Sequence, residues 1–267
     1  MPTTPKGACK LCLRNNQALQ KSHLIPAAMF RIIRKSQGSD PVFMTAKRIR
    51  TSSRQVTAHE LCWDCEQKLR AKGEDWMATQ VFQGNTFPLL SRFKYAMPDW
   101  ERPDHAAYSG TACGIDVETI VYFGASVLWR ASLRRWTIGA AETTTLDLGP
   151  NQELLRKYLN GESGYPLGVV IVTLCTDFES QGFFFTPTAI RDGVMAGYSV
   201  NLLGVYYRFF FEPGVPEDFY RYSCVHSERK RIILADQSKE SMHSYAHLRK
   251  TATESPNLKA MTSGSAG

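Results

Sequence analysis

No run of about 18 apolar residues occurs in this 267-residue sequence, so no hydrophobic membrane-spanning helix is expected. The first ten residues lack the apolar stretch of a secretory leader. Absent too are a glycine-rich phosphate loop, a nucleophile elbow and a Ser/His/Asp arrangement, so nucleotide-cradling and triad chemistries find no support. There is no internal repeat and no heptad run. Acids are nearly missing from residues 1–59, where Asp40 stands alone against eleven Lys and Arg. The chain carries +7 in total, so this opening segment, at +10, holds the whole excess and the remainder sums to −3. Such a surface attracts phosphate backbones and releases their counterions. Read by itself, the same charge equally describes a solvated basic face that aids solubility.

Cysteine is sparse and odd in number. Four of the seven fall in Cys9-x-x-Cys12 and Cys62-x-x-Cys65, and Cys113, Cys175 and Cys224 stand singly as candidate buried hydrophobes. An odd count with paired spacings fits a reducing, cytoplasmic setting better than a disulfide scaffold. Each two-residue spacer folds into a tight turn that points both sulfurs at one ion. The spacing therefore predicts a structural Zn²⁺ held by Cys9, Cys12, Cys62 and Cys65. Four thiolates leave no open position for water, so any chemistry needs a second site.

A hydrophobic fraction of 43% and an aromatic fraction of 11% suit a packed core. The expected class is α+β, with a zinc module over residues 1–84, a Pro- and aromatic-rich connector over 85–110 and a helix plus antiparallel-sheet domain over 111–226. A flexible polar tail is expected over 227–267. Within the module, residues 18–25 read as extended, 27–34 as a short basic helix, 42–50 and 54–58 as strands, and 63–82 as a helix. Leu69, Trp76, Met77 and Phe82 are the core candidates of that last helix. Beyond the connector, residues 117–136 predict a buried helix, and Gly149-Pro150 opens another that Asn160-Gly161 stops. Residues 167–175, 182–187 and 199–211, rich in Val, Ile, Phe and Tyr, predict strands. Glu74 reads as a solvent-facing acid, and Trp129, Arg130 and Trp136 as core and helix-end residues.

Between the two knuckles lies Ser22-His23-Leu24-Ile25-Pro26, and Glu66 follows Cys65 directly. The arrangement resembles the HNH, or ββα-metal, nucleases whose hairpin and helix are clamped by two Cys-x-x-Cys knuckles, and the resemblance covers residues 9–76. It implies an N-terminal zinc-clamped ββα-metal module and a divalent-metal-dependent endonuclease hydrolysing DNA. His23 would be the base that activates water and Glu66 a ligand of a catalytic Mg²⁺ or Mn²⁺. The family usually has an acid before the histidine, where this chain has Ser22, and Asn where it has Glu66. The chain is also similar to a group of uncharacterised bacterial proteins that share its Lys21–Pro26 and Cys62–Glu66 motifs and its 128–132 and 148–155 segments. Small nucleases of this build often serve as defence or toxin effectors.

The nucleic-acid surface expected from charge comprises Lys21, Arg31, Arg34, Lys35, Lys47, Arg48 and Arg50, with DNA favoured over RNA. The second domain would recognise a ligand, a particular nucleic-acid structure, or a partner that is another protein or a second copy of the chain. The competing reading is a non-catalytic zinc-knuckle protein that binds nucleic acid or protein. In a third reading, the C-terminal sheet carries the main function.

Overall fold

The computed structural model describes residues 4–37, 42–45, 48–51, 55–138, 141–142, 146–181, 184–193 and 195–237. The cysteine-bearing half begins with β1 (Lys6–Gly7), β2 (Gln17–His23), α1 (Ala27–Gln37), β3 (Val42–Thr45), β4 (Arg48–Thr51) and β5 (Thr57–Cys62). Strands β1, β2 and β5 form one antiparallel sheet in that order, and β3 and β4 form a separate hairpin. The β2–β5 register sets Leu19 opposite Cys62 and His23 opposite Thr57. Strand β5 passes without a loop into a helical rod of α2 (Trp63–Leu69), a π-helical turn (Arg70–Glu74) and α3 (Asp75–Gln80). Asp64 and Glu66 lie in the first turn of α2, where negative charge complements the helix dipole.

The second half contributes α4 (Pro88–Ser91), β6 (Trp100–Glu101), β7 (His105–Ser109), α5 (Val117–Ser132), β8 (Thr137–Ile138), β9 (Ala141–Glu142) and α6 (Asn151–Asn160). It continues with β10 (Gly168–Cys175), α7 (Phe178–Gln181), β11 (Phe184–Asp192), β12 (Met195–Leu202), β13 (Val205–Phe211), a 3₁₀ turn (Glu217–Tyr222) and β14 (Arg231–Ala235). Asp116 caps α5 by accepting the Thr119 amide at 3.0 Å. Gly161, at φ 82°, ends α6 as its position after Asn160 predicts. Seven strands form the large sheet in the order β11-β12-β13-β10-β14-β7-β6. All pairings are antiparallel except β10 with β14.

Several features depart from the sequence pattern, among them the strand expected over 42–50, which is the antiparallel pair β3 and β4. The strand expected over 199–211 is the end of β12 and all of β13, turned by Leu203 and Gly204 at φ 53° and 85°, the geometry of a two-residue hairpin. The sheet expected to be antiparallel contains one parallel pair. The stretch expected as a connector supplies β6 and β7 to that sheet. Residues 231–235, expected within a flexible tail, form β14, hydrogen-bonded between β10 and β7. Ile232, Ile233 and Leu234 are an apolar island in a charged neighbourhood, too short to show a period.

Helix α5 is the middle layer. On one side, a Cβ added to Gly73 of the π-helical turn would lie 3.2 Å from the Phe123 backbone. On the other, a Cβ added to Gly124 would sit 2.5 Å from the Tyr207 ring of β13. The second approach requires glycine, and at the first a side chain would force Phe123 to give by a few tenths of an ångström. Fourteen of the sixteen residues of α5 are buried, as its apolar length predicts. One continuous apolar cluster runs from Leu11 and Leu69 in the cysteine half through Phe123 and Leu128 to Val172 and Tyr207 in the sheet. Among the described residues, no helix is long and apolar enough to cross a membrane.

Candidate functional site

The sulfurs of Cys9, Cys12, Cys62 and Cys65 lie within 4.8 Å of one another. Cys12 Sγ and Cys62 Sγ are 3.8 Å apart. Tetrahedral zinc with Zn–S bonds of about 2.3 Å requires sulfurs about 3.8 Å apart, so the donor set fits that ion in both chemistry and spacing. The first turn is shaped by backbone bonds, Leu13 N–H to Cys9 O at 2.9 Å and Cys9 N–H to Arg14 O at 3.0 Å. The second follows from β5 ending where α2 begins. The Cys62 amide donates to Cys9 Sγ at 3.3 Å, and Arg14 reaches Cys12 Sγ at 3.3 Å while holding Asp64 at 2.6 Å. Donors of this kind fix thiolate orientation around a metal. A hydrogen bond from Cys65 holds the Cys9 thiol down at about 4, whereas donating that bond, together with burial, pushes Cys65 up. Four crowded thiols cannot all ionise on their own. A divalent cation removes the conflict.

Arg156 of α6 supports the first knuckle from outside. Its Nη1 donates to Leu11 O at 2.8 Å, and Glu153 and Glu162 hold the rest of its guanidinium. The buried carbonyl of the turn thereby gains a charge-assisted partner. Nothing local in the sequence links residues 145 positions apart, so this contact is invisible to motif reading.

Beside the sulfur cluster lies a second, polar cluster. Ser22, 1% exposed, donates its hydroxyl to Glu66 Oε1 in a very short hydrogen bond. This contact ties the end of β2 to the start of α2. His23 is part-buried and shares a hydrogen bond with Gln55. Arg130, 2% exposed near the end of α5, donates through Nη2 to Glu74 Oε1 in a second very short bond, and its Nε has no partner. Burial works against the Arg130 charge, but the Glu74 and Glu66 carboxylates outweigh it and raise its pKa. Burial lowers the His23 pKa below 6.5, and Arg130 adds to that against the opposing pull of Glu74. Arg130 is thus the charge felt by both His23 and Glu66.

Glu74 is therefore not the solvent-facing acid that its position suggests, and Arg130 is more than a core residue. The π-helical turn changes which way residue 74 points, and a 3.6-residue pattern cannot register that change. The other acids near the knuckles are engaged elsewhere. Glu60 pairs with Arg134 at 3.2 Å and Asp64 with Arg14. His59 is exposed and bonds Leu19 O at 3.0 Å. Among the described residues, the four cysteines are the one group of three or more His, Cys, Asp or Glu ligand atoms gathered this closely.

Of the basic surface expected for nucleic acid, Lys21, Arg31, Arg34 and Lys35 are exposed on β2 and α1. Lys47 lies outside the described residues. Arg48 and Arg50 fall on β4, and their side chains also lie outside the description. No family model matches the chain, and no curated protein or solved structure matches it.

Proposed function

We propose that this chain is a divalent-metal-dependent endonuclease acting on DNA, with His23 as general base and Glu66 as a ligand of the catalytic ion. The observation that carries the reading is the Ser22–Glu66 hydrogen bond, which joins the histidine-bearing strand to the carboxylate-bearing helix across the sulfur clamp. An antiparallel pair leading into a helix, pinned by four cysteines, also agrees with the resemblance to zinc-clamped ββα-metal nucleases.

His23 is suited to the role because burial and Arg130 favour its neutral form, which can take a proton from water at neutral pH. The oxygen so freed attacks a phosphodiester phosphorus as the opposite P–O bond breaks. When bound, Mg²⁺ or Mn²⁺ would supply charge stabilisation for this displacement. Glu66 offers a carboxylate for that ion, and Ser22 orients it. Lys21, Arg31, Arg34 and Lys35 draw the DNA backbone to this face. The zinc cysteines keep β2 and α2 in register, which a site built on two elements requires.

Plasmid nicking with Mg²⁺ or Mn²⁺ tests the reading, using zinc-loaded wild type, His23→Ala and Glu66→Ala with matched zinc content and DNA affinity. Loss of nicking by at least about a hundredfold in both variants is expected. Equal nicking by all three removes the mechanism.

The second reading is a zinc-knuckle protein that binds nucleic acid or protein without cleaving it. It is favoured by the engagement of Glu66 with Ser22 and of Glu74 with Arg130, which ties up one oxygen of each carboxylate. Salt-sensitive DNA binding by well-folded wild type that never nicks would establish it.

A further inference from the structure

Along β13 the side chains alternate, and Tyr207 turns inward to Gly124 of α5. Its neighbours Tyr206 and Arg208 turn outward and line a cavity of about 650 Å³ on the far side of the sheet from the cysteines. The floor of this cavity is unusual for a buried sheet face. Thr173 is 2% exposed, and Ser199 and Asn201 are each 5% exposed, although all three are polar. Elsewhere on the same face, Val169, Ile171, Met195 and Phe210 make an apolar patch that Phe219 of the 3₁₀ turn covers. The face is thus dry at one end and polar at the other.

The strand register arranges the polar end in two rows. One runs Phe185, Asn201, Tyr206, Thr173, and the other Thr188, Ser199, Arg208. With strands about 4.8 Å apart, Phe185 and Tyr206 stand about 10 Å apart with Asn201 between them. That gap admits one planar ring between two aromatic walls. Phe185 is one of the few large apolar side chains left exposed. Two polar groups at the floor also lack partners. Asn201 donates through Nδ2 to Ser180 O at 3.4 Å, but its Oδ1 accepts nothing. Arg208 donates through Nη1 to Asp192 at 3.3 Å, but its Nε donates to nothing. Buried groups of this kind are costly unless something satisfies them. Asn201 and Arg208 thus line the cavity with hydrogen-bonding capacity that their protein partners leave unused. Asp104, paired with His105 at 2.6 Å, and Asp236 share the lining with Arg208, so two carboxylates face one guanidinium and the cavity has no positive excess to favour a phosphate.

We propose that this cavity binds a neutral, planar heterocycle of nucleoside size, held between Phe185 and Tyr206 and read by Asn201 and Arg208. The site faces away from the sulfur cluster and does not depend on the nuclease reading.

The test is calorimetric titration of zinc-loaded full-length chain with adenosine, guanosine, cytidine and uridine, and separately with their 5′-monophosphates. At least one nucleoside should saturate with a sub-millimolar Kd, its monophosphate should bind more weakly, and Asn201→Leu and Phe185→Ala should each weaken binding about tenfold. Phe185 is exposed enough that its replacement leaves folding intact, so it decides the matter if Asn201→Leu misfolds. Saturation by none of the four nucleosides overturns the proposal. So does nucleoside binding that Phe185→Ala leaves unchanged, and so does tighter binding of the monophosphate.

Discussion

The buried Arg130–Glu74 pair sets the electrostatics of the polar cluster, and its energetics follow from its burial. Removing one partner strands a charge in a low-dielectric interior, which costs about 3–5 kcal/mol, whereas removing both together costs much less. Arg130→Met and Glu74→Met should each lower unfolding free energy by about that amount in urea titrations, and the double variant should recover most of the loss. Additive losses would mean the two residues do not act as a pair. The same charge adds to burial in holding down the pKa of His23. Its folded pKa lies below 6.5, so between that value and 6.5 the unfolded chain binds the proton more readily and stability falls as pH drops through this window. Above 6.5 His23 adds no pH dependence. The ring should titrate below 6.5 by NMR, and Arg130→Met should move that midpoint upward because Arg130 then no longer offsets the pull of Glu74. At this scale the clustering of the four cysteines was legible, since two-residue spacings are local. The Arg130–Glu74 pair joins residues 56 positions apart and was not.

Helix α5 was legible as an element because sixteen residues with so few charges cannot face water, and the rod from Trp63 to Gln80 was legible from its apolar spacing. The π-helical turn within that rod was hidden, since periodicity averages over a single extra residue. Strand β14 was hidden by its polar flanks, and the split between β12 and β13 by an apolar Leu at the turn. The close approaches on either side of α5 make a sharp prediction. Gly124→Ala places a methyl group 2.5 Å from the Tyr207 ring, so despite alanine's better helix propensity it should destabilise by about 1–3 kcal/mol. Thermal unfolding checks this, and a raised Tm would contradict the packing described for α5 and β13.

At the scale of the molecule, the cysteine half is tied to the rest by more than apolar contact. Arg130 meets Glu74, Arg134 meets Glu60, Arg156 meets Leu11 O, and Lys68 meets Asn160 Oδ1 at 2.6 Å. Metal binding and folding should therefore be coupled throughout. Chelating zinc, or replacing Cys9 by Ser, should lower the unfolding temperature of the large sheet as well as that of the knuckles, as one transition by circular dichroism. A sheet that melts unchanged after zinc removal would show two independent units. A fragment ending at residue 104 exposes Leu69, Met77 and Phe82 and should be insoluble. Charge and cysteine spacing announced that the chain has two chemically different halves, but they said nothing of how tightly those halves are joined.

Helix α5 has a consequence for inheritance. Its flanks belong to both halves at once, so a genetic crossover on either side of it leaves each product with a naked seam. A lineage carrying this chain can trade it whole or alter it residue by residue, but it has no interchangeable part to lend.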